Sequence, residues 1–119
     1  MATDPRPCLN DILHAIEGAR EATVGVVDFE TYARRRPVRR AVEREIEIIS
    51  EASRRIPEEL KAGEPTIPWQ DIAGIGNILR HDYQIVSDPI VWNVLVAHLP
   101  PLEAAIRRML AGLDAPRTE

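Results

Sequence analysis

The sequence predicts an all-α fold, a four- to five-helix up-and-down bundle, from three observations. Apolar residues recur at three- and four-residue spacing through each long segment, the signature of helices buried along one stripe. Helix-start chemistry, at Asp28, Pro37 and Ser87-Asp88-Pro89, stands ahead of several of those segments. No segment reads as a strand, and there are no repeats or low-complexity tracts. A chain of 119 residues is one domain by size, and with 45% hydrophobic but only 4% aromatic residues its core must be aliphatic.

Taken in order, residues 1–7 carry two prolines and are expected to be disordered, with a helical domain over 8–113 and a loose tail over 114–119. A first helix is expected from near Cys8–Asn10 to about Thr23, with Leu9, Ile12, Leu13, Ile16 and Ala19 on its inner face. His14 lies in this helix with no partner at metal-binding spacing, and reads as a surface or core-edge residue. Gly25-Val26-Val27 breaks the pattern, and Asp28 then caps a short helix from Phe29 to about Arg35. Pro37 suits the first turn of a third helix, where its missing N–H costs nothing. That helix should reach about Arg55, burying Val38, Val42, Ile46, Ile49, Ala52 and Ile56, with Glu51 and Arg55 spaced as an outer ion pair.

Pro57 ends the third helix, and residues 58–61 add one turn before the irregular stretch 62–68. A fourth helix starts at Pro68–Trp69 and ends between Leu79 and Tyr83. Gly74 and Gly76 are poor helix residues, each costing up to about 1 kcal/mol relative to Ala, which suggests close approach of another backbone. Ser87-Asp88-Pro89 opens a fifth helix whose stripe runs from Ile90 and Val91 to Leu113, with a kink expected at Pro100-Pro101.

Charge and cysteine content narrow the function. A net charge of −4 does not advertise nucleic-acid binding, yet Arg34, Arg35, Arg36, Arg39 and Arg40 are clustered. That cluster is either a solvated helix junction or a phosphate-contacting rim. The single Cys8 excludes a disulfide framework and a Cys-based metal site, and the three His show no zinc-helix spacing. The N-terminus has no apolar h-region, and no apolar run approaches bilayer length, so a cytoplasmic protein without a membrane partner is expected.

Chemistry concentrates in Ile75-Gly76-Asn77-Ile78-Leu79-Arg80-His81-Asp82-Tyr83. On a helix, Asn77 and His81 share a face, and an imidazole with an amide one turn below and a phenol two positions on can act as an acid–base cluster. On the residues alone, the same stretch also reads as a helix end whose His and Tyr bond to a neighbouring element.

Several stretches together carry a family resemblance. They are Leu9-Asn10-Asp11-Ile12-Leu13-His14-Ala15-Ile16, the run from Ala41 to Ala52, Ile56-Pro57-Glu58-Glu59-Leu60, Ile67-Pro68-Trp69, Asp71-Ile72-Ala73-Gly74, Val91-Trp92 and Leu99-Pro100-Pro101-Leu102. From Cys8 to Leu113 the chain resembles the HepT-like proteins of the HEPN superfamily, ribonuclease toxins encoded beside a minimal nucleotidyltransferase antitoxin. The family's motif is Arg, four residues, His, one residue, Tyr. It places the His on His81, the Tyr on Tyr83 and the usual Asn on Asn77, but the Arg falls on Gly76.

The resemblance implies a homodimer, with the helix glycines facing the partner, and metal-independent RNA cleavage with no cofactor. His81 would move the proton, Asn77 orient it or the substrate, and Tyr83 contact phosphate or be adenylylated by the antitoxin. Arg80, one turn after Gly76, would fold its guanidinium over the space that Gly76 leaves. Two alternatives stand beside this reading. One is a non-catalytic module of the same fold that scaffolds a nucleotidyltransferase; the other is a helical nucleotide-binding protein.

Overall fold

The computed structural model describes residues 4–81 and 88–115, with the side chains of positions 80 and 81 outside that description. Helix α1 (Arg6–Ala22) begins before Cys8, inside the stretch expected to be disordered. Pro7 sits in its first turn, and Asp4 Oδ1 accepts the Arg6 amide at 3.0 Å. Apolar periodicity does not mark this turn because end-group bonding, not burial, closes it. At the other end Thr23 Oγ1 donates to the Ala19 carbonyl at 2.8 Å, and Gly25 turns the chain at φ 81°, a conformation that favours glycine.

Helix α2 (Phe29–Arg34) is capped as its sequence predicts, with Asp28 Oδ1 accepting the Thr31 amide at 2.8 Å. Helix α3 (Arg36–Ser53) holds Pro37 in its first turn and buries Val42, Ile46, Ile49 and Ala52, with Ile56 buried just beyond its end. It also buries Ser50 and Ser53, two polar residues outside the apolar pattern. Arg55 pairs across to Asp11 of α1 at 3.5 Å and not with the expected Glu51, because α1 lies within reach.

The single turn α4 (Glu58–Ala62) leads into the irregular stretch, which Trp69 pins by donating Nε1 to the Lys61 and Glu64 carbonyls at 3.2 and 3.1 Å. Helix α5 (Trp69–His81) follows. Beyond it come α6 (Asp88–Asn93), a π-helical turn (Val94–His98) and α7 (Leu99–Asp114). The kink expected at Pro100-Pro101 takes this form: the prolines occupy the first turn of α7, and the wide turn just before them absorbs their missing donors.

Helix α3 is central, with α1 and α5 both packed on it and α7 on α1. One apolar cluster joins Leu9, Ile12, Ile16, Ile49, Leu102 and Ile106. A second, at the other end of α3, joins Tyr32, Val42, Ile46, Leu79 and Val91. No strand occurs among the described residues, and the all-α expectation holds. One expectation does not: the 27-residue run Asp88–Asp114 is long and apolar enough to cross a membrane by length and composition alone. Its few charges interrupt the apolar run without bringing the average hydropathy down far enough to exclude it. Its Leu99, Leu102, Ala105, Ile106 and Met109 are buried in the core.

Candidate active site

Helix α5 carries the motif positions because α3 holds one of its faces and leaves another open. Leu79 is buried in the second apolar cluster and Gly76 is buried against α3, whereas Asn77 is exposed. The helix continues through His81, so positions 77 and 81 lie one turn apart on the same ridge, as their spacing predicts. Tyr83 lies outside the described residues, and so does the expectation that it joins this cluster.

Gly76 does not stand beside an empty space. A Cβ built there would stand 2.5 Å from Ser50 Oγ and 2.6 Å from Ser50 Cβ, so α3 of the same chain already fills the space that Arg80 was expected to cover. The close backbone approach inferred from the helix glycines is real at this position, but it is intramolecular. Gly74 differs, since nothing lies within 4 Å of its own Cβ position.

The contact at Gly76 is also polar. Ser50 Oγ accepts the Gly76 amide at 3.1 Å and donates to the Ala73 carbonyl at 2.9 Å. Arg54, just past the end of α3, donates Nη2 to the same carbonyl at 2.7 Å. Sequence reasoning missed these two residues. The available signal was a serine inside an apolar stripe together with a glycine in the helix that packs on it.

The arginine run splits. Arg34, Arg35 and Arg36 are exposed, with Arg34 3.7 Å from Glu30. Arg39 turns inward instead: its Nη1 donates to the Ala33 carbonyl, its Nε lies 3.7 Å from Asp88, and its side chain is only 18% exposed. Arg40 pairs with Glu43 at 2.9 Å. Folding turns Arg39 out of the rim, while Arg34, Arg35, Arg36 and Arg40 stay exposed. The run nevertheless lies at the same end of the bundle as the motif, since the second cluster joins Tyr32 and Val42 to Leu79.

A groove of about 410 Å³ runs between α5 and the α6–π segment, lined by Ile72, Ile75, Ile90 and Val94 with Asp71 and His98 among its polar residues. Asn77 is not part of it. Tyr32 is fully buried beside the Trp92 ring, 5.3 Å between centroids, and burial pushes its phenol pKa up. Burial likewise raises the Cys8 thiol, the opposite of what an activated thiolate needs. Among the described residues no three His, Cys, Asp or Glu side chains are grouped to hold a metal ion.

Comparison with known proteins adds the following. The family described as ribonuclease HepT-like matches residues 12–109. "Putative RNase TTE0752" of Caldanaerobacter subterraneus subsp. tengcongensis is 34% identical over 106 residues, covering 89% of this chain and 94% of that protein. "Putative RNase MJ1380" of Methanocaldococcus jannaschii is 30% identical, over 87% of this chain and 94% of that one. "Probable ribonuclease HepT" of Thermococcus cleftensis is 34% identical, over 85% and 91%. No solved structure matches the chain significantly.

Proposed function

The chain belongs to the ribonuclease HepT-like family, and on that premise we propose that it is an endoribonuclease that cleaves RNA without a metal ion, with His81 as the acid–base residue. The observation that carries the proposal is the family match over residues 12–109, which takes in all of α5 with Asn77 and His81 on one ridge.

In such a reaction the ribose 2′-oxygen attacks phosphorus and the bond to the 5′-oxygen breaks. One proton must leave the 2′-hydroxyl and one must reach the leaving oxygen, and an imidazole can serve either step near neutral pH. Asn77, exposed one turn below, orients His81 or the substrate. Arg80 is the motif stretch's own cation for the phosphate, suited to it by a planar fork that keeps its charge. Tyr83 contacts phosphate, and a minimal nucleotidyltransferase antitoxin silences the enzyme by adenylylating it, which adds bulk and charge at the site. The exposed Ile78, Ile90 and Val96 and the apolar groove favour a homodimer, for which sedimentation at micromolar concentration is the check.

The test is incubation of the purified protein with labelled RNA in EDTA, comparing wild type with His81→Ala. Cleavage by wild type and its loss in the variant are expected. Cleavage that survives His81→Ala removes the assigned acid–base role, and dependence on added metal removes metal independence. One observation favours a second reading, a catalytically silent HEPN module that scaffolds a nucleotidyltransferase: the motif's arginine position is Gly76, and Ser50 fills the space beside it. A folded wild type that binds the nucleotidyltransferase but leaves RNA intact decides for that reading.

A further inference from the structure

Ser50 stands in an unusual position for a hydroxyl. It is 2% exposed on the inner face of α3, where an aliphatic residue would continue the stripe. A buried hydroxyl destabilises unless its hydrogen bonds are made. Here both are made, and both go to one turn of α5: the Gly76 N–H donates to Ser50 Oγ at 3.1 Å, and Ser50 Oγ donates to the Ala73 carbonyl at 2.9 Å. Arg54 adds its bond to the same carbonyl at 2.7 Å. Gly76 is what admits the serine, since any Cβ at 76 would collide with it.

The held turn is the one immediately before Asn77. Apolar packing alone tolerates a small slide or roll of one helix on another. A hydroxyl bonded to the C=O of one residue and the N–H of the third after it does not, because either motion breaks one of the two bonds. Every residue of roll moves a helical position through about 100°, so this grip determines which positions of α5 face outward. We propose that Ser50, assisted by Arg54, is a positioning residue for the reaction, locking the turn 73–76 so that Asn77 and His81 present together to RNA. The proposal rests on the ribonuclease reading for its kinetic consequence, but its structural part stands independently.

Ser53 supplies the control. It is equally buried, and its hydroxyl bonds only the Ser50 carbonyl within α3, at 2.7 Å. Ser50→Ala keeps the Cβ and loses the grip; Ser53→Ala loses a buried hydroxyl without touching α5. In Ser50→Ala, kcat for RNA cleavage should fall about tenfold with KM within about twofold, and amide exchange over residues 73–81 should quicken about tenfold. Ser53→Ala should leave all three within about twofold of wild type. If Ser50→Ala does not fold, the exposed Arg54→Ala should show the same pattern at about threefold. Unchanged kcat and exchange in Ser50→Ala, or equal losses in Ser53→Ala, overturn the proposal. If wild type itself does not cleave RNA, the ribonuclease reading fails instead. The exchange comparison then judges the grip alone: faster exchange confined to Ser50→Ala upholds it, and no difference between the serine variants ends it.

Discussion

At position 76 two physical effects oppose each other. Glycine in a helix interior is destabilising by up to about 1 kcal/mol relative to Ala, so filling the position should help on propensity alone. Against this, the added Cβ would meet Ser50 Oγ and Cβ at 2.5 and 2.6 Å, and a helix core cannot absorb such an overlap without moving. Overpacking of this kind costs about 1–3 kcal/mol and wins. Gly76→Ala and Gly76→Arg should therefore both lower the urea midpoint, although the second restores the family's motif. Ser50→Ala would not relieve them, since the Cβ remains in the way. Ser50→Gly would, so a double-mutant cycle of Ser50→Gly with Gly76→Ala should show favourable coupling of about 1–2 kcal/mol. Additive losses would mean that α3 and α5 separate more easily than their close packing implies.

Helix α3 works as an element that serves both clusters. Ile49 is 2% exposed in the first and Ile46 2% exposed in the second, so one helix ties the α1–α7 side of the bundle to the α5–α6 end that carries the motif. Ile49→Ala should cost about 2–5 kcal/mol through the cavity it leaves, read from denaturant unfolding. A cost below about 1 kcal/mol would show that the site collapses freely. The junction of α2 and α3 divides the arginine run by the same logic. Arg34, Arg35 and Arg36 face solvent and are available to phosphate, whereas Arg39 is held between the Ala33 carbonyl and Asp88. Replacing Arg35 and Arg36 by Ala should weaken RNA binding. On single-stranded RNA the slope of log K against log salt should shrink by about 0.7 for each phosphate that is no longer neutralised. Arg39→Ala should instead act through stability. An unchanged salt slope in the Arg35/Arg36 variant would take the junction of α2 and α3 out of the RNA surface.

Across the whole molecule, ion pairs join elements distant in sequence. Glu103 of α7 accepts Arg20 Nη1 of α1 at 2.9 Å and Arg107 Nη2 at 3.0 Å. Hydrogen bonding from Arg20, supported by Arg107, holds the Glu103 carboxyl at about 2, below its ordinary 4.5. Because the folded-state value is the depressed one, this contribution is complete above pH 4.5 and is lost as pH falls toward 2. The pair is near solvent, so screening reduces it to about 1 kcal/mol. Glu103→Gln should lower stability by about that much at neutral pH and flatten the acid limb of the stability–pH curve. An acid limb identical to wild type would assign the loss to other carboxylates. Glu64, pulled down by the two bonds from Arg108 at 3.0 and 2.7 Å, is the next candidate.

What the sequence determined by itself was everything that depends on neighbours along the chain. The stripe of α3, the Asp28 cap, the proline that opens α3 and the one-turn spacing of positions 77 and 81 are all properties of spacing within one helix. Stretches spread from Leu9 to Leu102 carried the family resemblance, because matching runs of sequence need no tertiary contact to be recognised. The tertiary structure alone decided what lies opposite each residue. Periodicity gives a residue's face but not its partner, so Gly76 reads as an empty place until Ser50 is found in it. Arg55 likewise reads as Glu51's partner until Asp11 arrives from another helix, and a run of five like arginines reads as one surface until Arg39 turns inward to Asp88. Each of these depends on where a second helix lies against the first, and that is settled only when α1, α3, α5 and α6 bury their apolar faces together.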